Sequence, residues 1–301
     1  MSGAREIAQQ LGRAVRVGHD WRCCCPLHKG HSLTLADGRD GKLLVRCWGG
    51  CEWRDIFPEL RSRGLLVGDP VDTNPERVDE LRRKRDAEAR REIERLRRRI
   101  AAARDLCRHS KDATGTPVEP WLRTRGITSP IPPVLRWLQH CPHRNGRYYP
   151  AMVAPIVNVA GEQIAVHKTF LSPDGSGKAD LPKPEQRETC GPFKGGAIRL
   201  APHRADVELL IAEGVETTLA AMQMFGLPGW AAICAPGIEA LELPLEIRSV
   251  AVAADHDTNG VGQRAALSAR ERWMSERRSV RILLPPNPGT DFNDLIVGGL
   301  I

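Results

Sequence analysis

Two groups of side chains in this chain have the types and spacing to do chemistry: sulfur and nitrogen ligands near its start, and carboxylates near its end. The first group is Cys25-Pro-Leu-His28 followed by Cys47-Trp-Gly-Gly-Cys51. Three thiolates and an imidazole in two close pairs suit tetrahedral zinc, and a filled four-ligand shell leaves no open position, so the expected role is structural or binding. Cys23 or Cys24 is an alternative to Cys25, and His31 to His28. Cys25 and His28 are preferred because the intervening Pro-Leu turns the chain tightly. Five of the nine cysteines fall between Cys23 and Cys51, and in a cytosolic chain such clustering points to metal before disulfide.

The second group has three members: Glu213-Gly214-Val215-Glu216, Asp255-His256-Asp257 and Asp291-Phe292-Asn293-Asp294. Crowded carboxylates repel unless cations neutralise them. Hard oxygen ligands suit Mg2+ or Mn2+. Two such ions can clamp the attacking and leaving oxygens of an in-line phosphoryl transfer. A single acid after a strand is as well explained by a helix N-cap. Three acidic motifs, each after its own strand, favour function. His256 is expected to point outward, and the helix start in Gly260-Val-Gly-Gln-Arg-Ala-Ala offers N–H groups to phosphate.

Positioning these acids needs a particular framework. Val207–Ala212, Trp230–Cys234, Val250–Ala254 and Val280–Leu284 read as strands. Glu216–Phe225, Ile238–Leu243 and Gly262–Arg277 read as the helices between them. Strands alternating with helices predict an α/β fold with a parallel sheet wound on both faces. Ligands of such sheets gather beyond the carboxyl ends of the strands, where all three motifs fall. The cysteine pairs require a hairpin, read as Ser32–Ala36 and Lys42–Arg46 about a turn at Asp37–Gly41.

Four regions follow: a zinc-binding domain over 1–70, a charged helical linker over 71–116, a middle segment over 117–205 and the α/β domain over 206–301. The stretch 76–108 holds thirteen Lys/Arg against eight Asp/Glu with no Gly or Pro, which predicts a helix. Asp79–Arg83, Glu80–Lys84, Asp86–Arg90 and Glu94–Arg98 have the favourable i,i+4 order. Few apolar residues lie between Leu81 and Ile93, so a solvated spacer is the preferred reading, with contact to a template backbone as the alternative. In the middle segment, strands about a turn at Ala160–Gly161 are expected. Lys168, Lys178, Lys183 and Lys194 there are candidates for phosphate contacts. Trp48 and Trp53 could stack on bases or pack in a core.

The net charge of +7 fits a nucleic-acid partner. No apolar run approaches the roughly 18 residues of a membrane span. The first residues show no signal-peptide core, so a cytoplasmic protein with no membrane partner is expected.

The CPLH and CWGGC motifs resemble the zinc-binding domain of bacterial, phage and plasmid primases. The C-x3-C closure is similar to the phage and mobile-element branch. The sequence departs from that pattern after His28, reading KGHSL where an acidic stretch and a Pro-Ser pair are expected. The EG and DxD motifs resemble a Toprim domain, and DFND resembles a late motif of primase-type Toprim proteins. The middle segment, with YYPAMVAPIVNVAGEQIAVHKTF and GPFKGGAIRL, resembles what precedes Toprim in phage and mobile-element primase-like proteins.

The resemblance implies a Rossmann-like Toprim domain with an N-terminal zinc ribbon. It implies Glu213 as the acid/base next to the metals, Asp255 and Asp257 as metal ligands, Asp291 and Asp294 completing the acidic face, and Glu216 in support. The implied function is a DNA primase-like nucleotidyltransferase that makes short primers on single-stranded DNA from nucleoside triphosphates, with structural Zn2+ and two catalytic Mg2+ or Mn2+ ions. Alternatives are a Toprim nuclease and a non-catalytic DNA-binding replication or recombination accessory protein. A topoisomerase is rejected, because Tyr148 and Tyr149 are the only tyrosines and both lie in the middle segment. No GxxxxGK[ST] occurs, so a replicative helicase is expected as a separate partner.

Overall fold

A computed structural model describes residues 3–38, 42–66 and 75–298, with the side chains of the last stretch from residue 83 onward. The chain divides into two compact units, 1–87 and 88–301, with separate cores.

The first unit begins with helix α1 (Ala4–Leu11). Four short strands follow: β1 (Val15–Val17), β2 (Asp20–Cys23), β3 (Leu33–Asp37) and β4 (Leu43–Cys47). They form an antiparallel sheet in sequence order. Helix α2 (Trp53–Ser62) comes after them. Period-two alternation drives Leu33 and Leu35 into a core with Ile7, Ala8, Ile56 and Leu60, and turns Leu44 and Arg46 outward. Gly3 has no side chain to cap α1, so Asp37 does it from β3, accepting from the Ala4 N–H at 2.9 Å. The expected hairpin is present as β3 and β4, while residues 39–41 of its turn lie outside the described residues.

Helix α3 (Pro75–His109) realises the charged stretch. Its residues 83–99 are exposed, as a run poor in apolar side chains requires. Near its end, Ala103 is buried against Val153, Val166 and Phe170, so this part belongs to the second unit's core rather than to a free linker. Glu94–Arg98 pairs at 3.0 Å, whereas Asp86 and Arg90 form no ion pair. The acidic side chains of the Asp79–Arg83 and Glu80–Lys84 pairs lie outside the described residues.

The middle segment contains β5 (Lys111–Asp112), helix α4 (Val118–Thr124), β6 (Arg136–Pro142), β7 (Tyr148–Val157) and β8 (Gln163–Phe170). A 3-10 turn (Lys183–Glu185) precedes β9 (Arg187–Cys190). These strands make one antiparallel sheet in sequence order, with β9 at an edge. The β7–β8 turn falls where expected, with Gly161 at φ 82°.

The remaining elements are β10 (Ile198–Arg199), β11 (Leu209–Ala212), α5 (Val215–Phe225), β12 (Gly229–Ala231), α6 (Ala235–Ala240), β13 (Ser249–Ala253), α7 (Val261–Ser275), β14 (Ser279–Leu283) and α8 (Phe292–Val297). Their sheet runs β10-β12-β11-β13-β14, parallel except for β10. Leu209 and Ile211 pack with α6 and α7, and Leu210 and Ala212 with α5 and α8, so the sheet is wound on both faces. From β11 the chain crosses to β12 on one side, and from β13 to β14 on the other. The topological switch point therefore lies between the carboxyl ends of β11 and β13. Val215 and Leu219 of α5 share a core with Trp121, Met152 and Ile156, tying the middle segment to this sheet. Among the described residues no helix is long and apolar enough to cross a membrane.

Candidate functional site

In the first unit the ligand atoms of Cys25, His28, Cys47 and Cys51 all lie within 4.8 Å of one another. The pairing in β3–β4 closes the pocket, because Leu33 faces Cys47 at the hairpin base. His28 Nε2 is 3.2 Å from Cys47 Sγ, and the sulfurs of Cys25 and Cys51 are 3.9 Å apart. The glycines around them make room for the imidazole. A Cβ on Gly30 or Gly49 would stand 2.7 or 2.5 Å from the His28 ring. Burial opposes it, yet bonds with Ser32 and His28 bring the Cys47 thiol down to about 6, towards the thiolate that binds metal. Of the alternatives, Cys23 is buried in the core, His31 Nε2 is 2.7 Å from the Arg13 carbonyl, and Cys24 lies outside the cluster. Among the described residues this is the one gathering of three or more such side chains drawn this tightly.

Beside it lies an exposed basic and aromatic face. Arg22, Thr34 and Arg46 stand across from one another on β2, β3 and β4. The Arg46 guanidinium lies 3.9 Å over the Trp48 ring, whose N–H donates to Thr34 Oγ1 at 3.1 Å. Trp48 and Trp53 are both more than half exposed, which excludes a core role for them.

In the second unit the switch point carries Glu213 just past β11, with Asp255 and Asp257 just past β13. The strands hold these loops in register, since Ala212 pairs with Ala253. Burial first, then repulsion from Glu213, Asp291 and Asp257, pushes the Asp255 carboxyl up to about 7. Burial and Asp257 also raise Glu213. The carboxylates are thus close enough to feel one another. Asp255 Oδ1 is buried and has no hydrogen-bond partner. Asp257 Oδ2 accepts from the Gly262 N–H at 3.2 Å, where α7 begins. His256 does not face the acids. Its Nδ1 lies 2.8 Å from the Pro285 carbonyl, tying this loop to the one leading into α8.

Asp291 and Asp294 have a local duty. They form a capping box on α8, each carboxylate accepting from the other's N–H at 2.9 Å. The second oxygen of Asp291 lies 3.4 Å from Arg125.

Glu216 is 4% exposed and sits between Lys178 at 3.6 Å and Arg187 at 3.5 Å. Burial alone would raise its pKa, but Arg187 and Lys178 overcome it and hold the carboxyl at about 2. The charge of Arg187 also lowers Glu213 and Asp255, so one guanidinium acts on three of these acids. Nothing in the sequence singled out Arg187. Of the four candidate lysines, Lys178 reaches Glu216, while Lys183 in the 3-10 turn and Lys194 in a loop are exposed. Lys168 is inside the sheet, bonded to Glu188 at 2.6 Å and to the Pro142 carbonyl at 2.8 Å, so it has no free face for a phosphate.

Comparison with known proteins assigns parts of this architecture. Residues 97–200 match a family model described as a domain of unknown function, DUF7146, and residues 208–300 match the Toprim domain. No curated protein matches the chain. Among solved structures it is similar to the zinc-binding and RNA polymerase domains of the Aquifex aeolicus primase, at 14% identity over 97% of this chain and 79% of that one, with a TM-score of 0.44. A DnaG primase catalytic domain bound to ssDNA aligns at 17% identity over 61% of this chain and 70% of that one, TM-score 0.41. The E. coli primase catalytic core aligns at 16% identity over 60% and 69%, TM-score 0.38. Likeness at these scores carries no weight for activity. The family model and the acidic motifs at the switch point make residues 208–300 a Toprim domain.

Proposed function

We propose that this chain is a primase-like nucleotidyltransferase that synthesises short primers on single-stranded DNA. The observation that carries the reading is the mutually repelling group of Glu213, Asp255 and Asp257 at the switch point of the Toprim sheet. The group fits divalent cations, because Asp255 keeps a buried oxygen without a partner and a carboxyl raised by burial and then by neighbouring charge. Asp255 and Asp257 would hold Mg2+ or Mn2+, with Glu213 beside them and Asp291 adding charge. The capping box leaves Asp294 the weakest of the expected ligands. Bound ions supply charge neutralisation for the attacking and leaving oxygens of an in-line displacement.

The chain's own groups do the rest. Glu213, raised by burial and by Asp257, is suited to take the proton of an attacking 3′-hydroxyl as it bonds to the α-phosphorus of a nucleoside triphosphate and pyrophosphate departs. Lys178 and Arg187, next to the acids, are placed to steady phosphates, with Lys183 and Lys194 as exposed candidates further out. The four-ligand cluster of Cys25, His28, Cys47 and Cys51 would hold structural Zn2+, presenting Trp48 and Arg46 to template bases.

One incubation with single-stranded DNA, ribonucleotides and Mg2+ or Mn2+ tests this. Labelled primers are the expected product. Degraded DNA means that water replaces the hydroxyl in a nuclease, and binding alone means an accessory protein. Asp255→Ala is expected to abolish primer synthesis and leave DNA binding mostly intact. Full activity in that variant overturns the metal-ligand assignment.

A further inference from the structure

The arginines of α3 serve neither site described above. Residues 88–104 contain seven arginines and no lysine, against Glu88, Glu92 and Glu94. Arg91, Arg95, Arg98 and Arg99 recur at helical spacing and share one face. Between that face and edge strand β9 runs an open cleft of about 610 Å3, lined by these four arginines with Arg90, Glu94, Ala102 and Cys190. A second cleft of about 490 Å3 shares Arg99, Ala102 and Cys190 and continues past Asp105 and Glu188, the latter bonded to Lys168, to Arg144. The two make one trough, and none of the strand-end carboxylates lines it.

The helical wall is anchored. Ala103 is buried beneath it, Arg99 donates to the Gly191 carbonyl at 3.3 Å, and Arg104 to the Gln163 carbonyl at 3.2 Å. Arg98 is paired with Glu94 and Arg95 with Glu92, both on the exposed surface. Arg90, Arg91 and Arg97 have no carboxylate partner among the described residues. A fixed wall therefore keeps a surplus of positive charge facing an open channel.

We infer that this trough binds the sugar-phosphate backbone of nucleic acid. A solvated spacer would be as well served by lysine. Guanidinium instead offers a planar fork that matches phosphate oxygens two at a time. Successive arginines four positions apart step about 6 Å along the helix, a spacing that lets neighbouring groups meet successive phosphates of one strand. No Trp, Tyr or Phe lines either cleft, and the one imidazole, His143, is buried, so the contacts are to backbone and independent of base sequence. The inference extends the nucleic-acid reading above but needs no catalysis.

The test is fluorescence anisotropy with a labelled 20-nucleotide single strand and the corresponding duplex, in EDTA, across a salt series. Arg91→Ala/Arg95→Ala/Arg98→Ala is compared with a variant of equal charge change elsewhere, Arg204→Ala/Arg248→Ala/Arg270→Ala. The trough variant is expected to lose roughly 10- to 100-fold in affinity at low salt. Its slope of log K against log salt should be shallower by about 2, at about 0.7 per phosphate lost on a single strand. The control variant should bind within about 2-fold of the parent. If the alanine variant melts early, the corresponding Arg→Gln set, which keeps helix-forming stems, is read in its place. Unchanged affinity and slope overturn the inference, as does equal loss in the control. Binding of phosphatidylserine vesicles through the same arginines, with none to DNA, also overturns it. Failure of primer synthesis in a protein that still binds DNA through the trough counts against the catalytic reading alone.

Discussion

A carboxylate buried between a lysine and an arginine is stable only while both cations stay. Glu216 is in that position, with Lys178 and Arg187 on either side. Glu216→Gln leaves two positive charges facing an amide. Removing one partner of a buried pair costs about 3–5 kcal/mol, and the half-exposed Arg187 puts this case at the lower end. Urea unfolding of the second unit measures it; a midpoint equal to the parent's would show that the cluster contributes nothing. Titration separates Glu216 from its neighbour His167. Burial pushes His167 down to about 4 from 6.5, so it is neutral in the folded chain. The unfolded chain gains a proton that the folded one does not, so stability drains as pH falls from 6.5 towards about 4. The Glu216 contribution has the opposite origin: it is full above 4.5 and is lost only as pH falls towards about 2. His167→Gln should therefore flatten the stability profile between pH 6.5 and 4 and leave the lower limb in place. An unchanged upper limb would place the titrating group elsewhere. Glu213, Asp255 and Asp257 were legible because each follows an apolar run that can only be a buried strand. Arg187 and His167 were not. They come from another sheet, and no spacing along the chain reveals which acid a distant cation will meet.

Most strands and helices of the Toprim domain lie within two residues of where they are expected, but α6 starts and ends three residues early, α8 is a helix where a loop is expected, and one strand departs informatively. The apolar stretch Trp230–Cys234 reads as one strand, yet β12 ends at Ala231. Ile233 has φ 78°, a left-handed conformation that a β-branched residue adopts only under constraint. The constraint is visible, since its N–H donates to the Glu213 carbonyl at 2.7 Å. The chain is bent at the strand end to hold the backbone of the acid. Gly237 completes the bend, because a Cβ there would stand 1.9 Å from the Ala232 carbonyl oxygen. Gly237→Ala should destabilise the second unit by roughly 1–3 kcal/mol through overpacking and displace Glu213 with it. Thermal unfolding and primer synthesis should fall together; a stable variant with full activity would show that the loop gives freely. Local pattern misses such a bend, because hydrophobicity reports burial and not the sign of φ. Edge elements escaped for a related reason. Strands β5 and β10 are two residues each, too short for any alternation to register.

At the scale of the whole molecule, the cores of the two units share no residue. One is built from residues between Ala4 and Leu66, and the others from residues between Ala103 and Ile296. The first is small, with Leu33, Leu35, Ile56 and Leu60 among its few large buried side chains. A core of that size needs a further constraint to fold, and four converging ligands supply one when metal is bound. Two unfolding transitions are therefore expected in calorimetry rather than one, with about one zinc per chain by metal analysis. A strong chelator should abolish the transition of the first unit and leave that of the second at its temperature. His28→Ala should do the same without chelator. Gly49→Ala, which crowds the His28 ring, should weaken zinc retention while sparing the second unit. A single transition that chelator does not move, or a chain that binds no zinc, would mean the first unit stands on its apolar core alone. The exposed face of Arg46 and Trp48 would then have no metal to hold it.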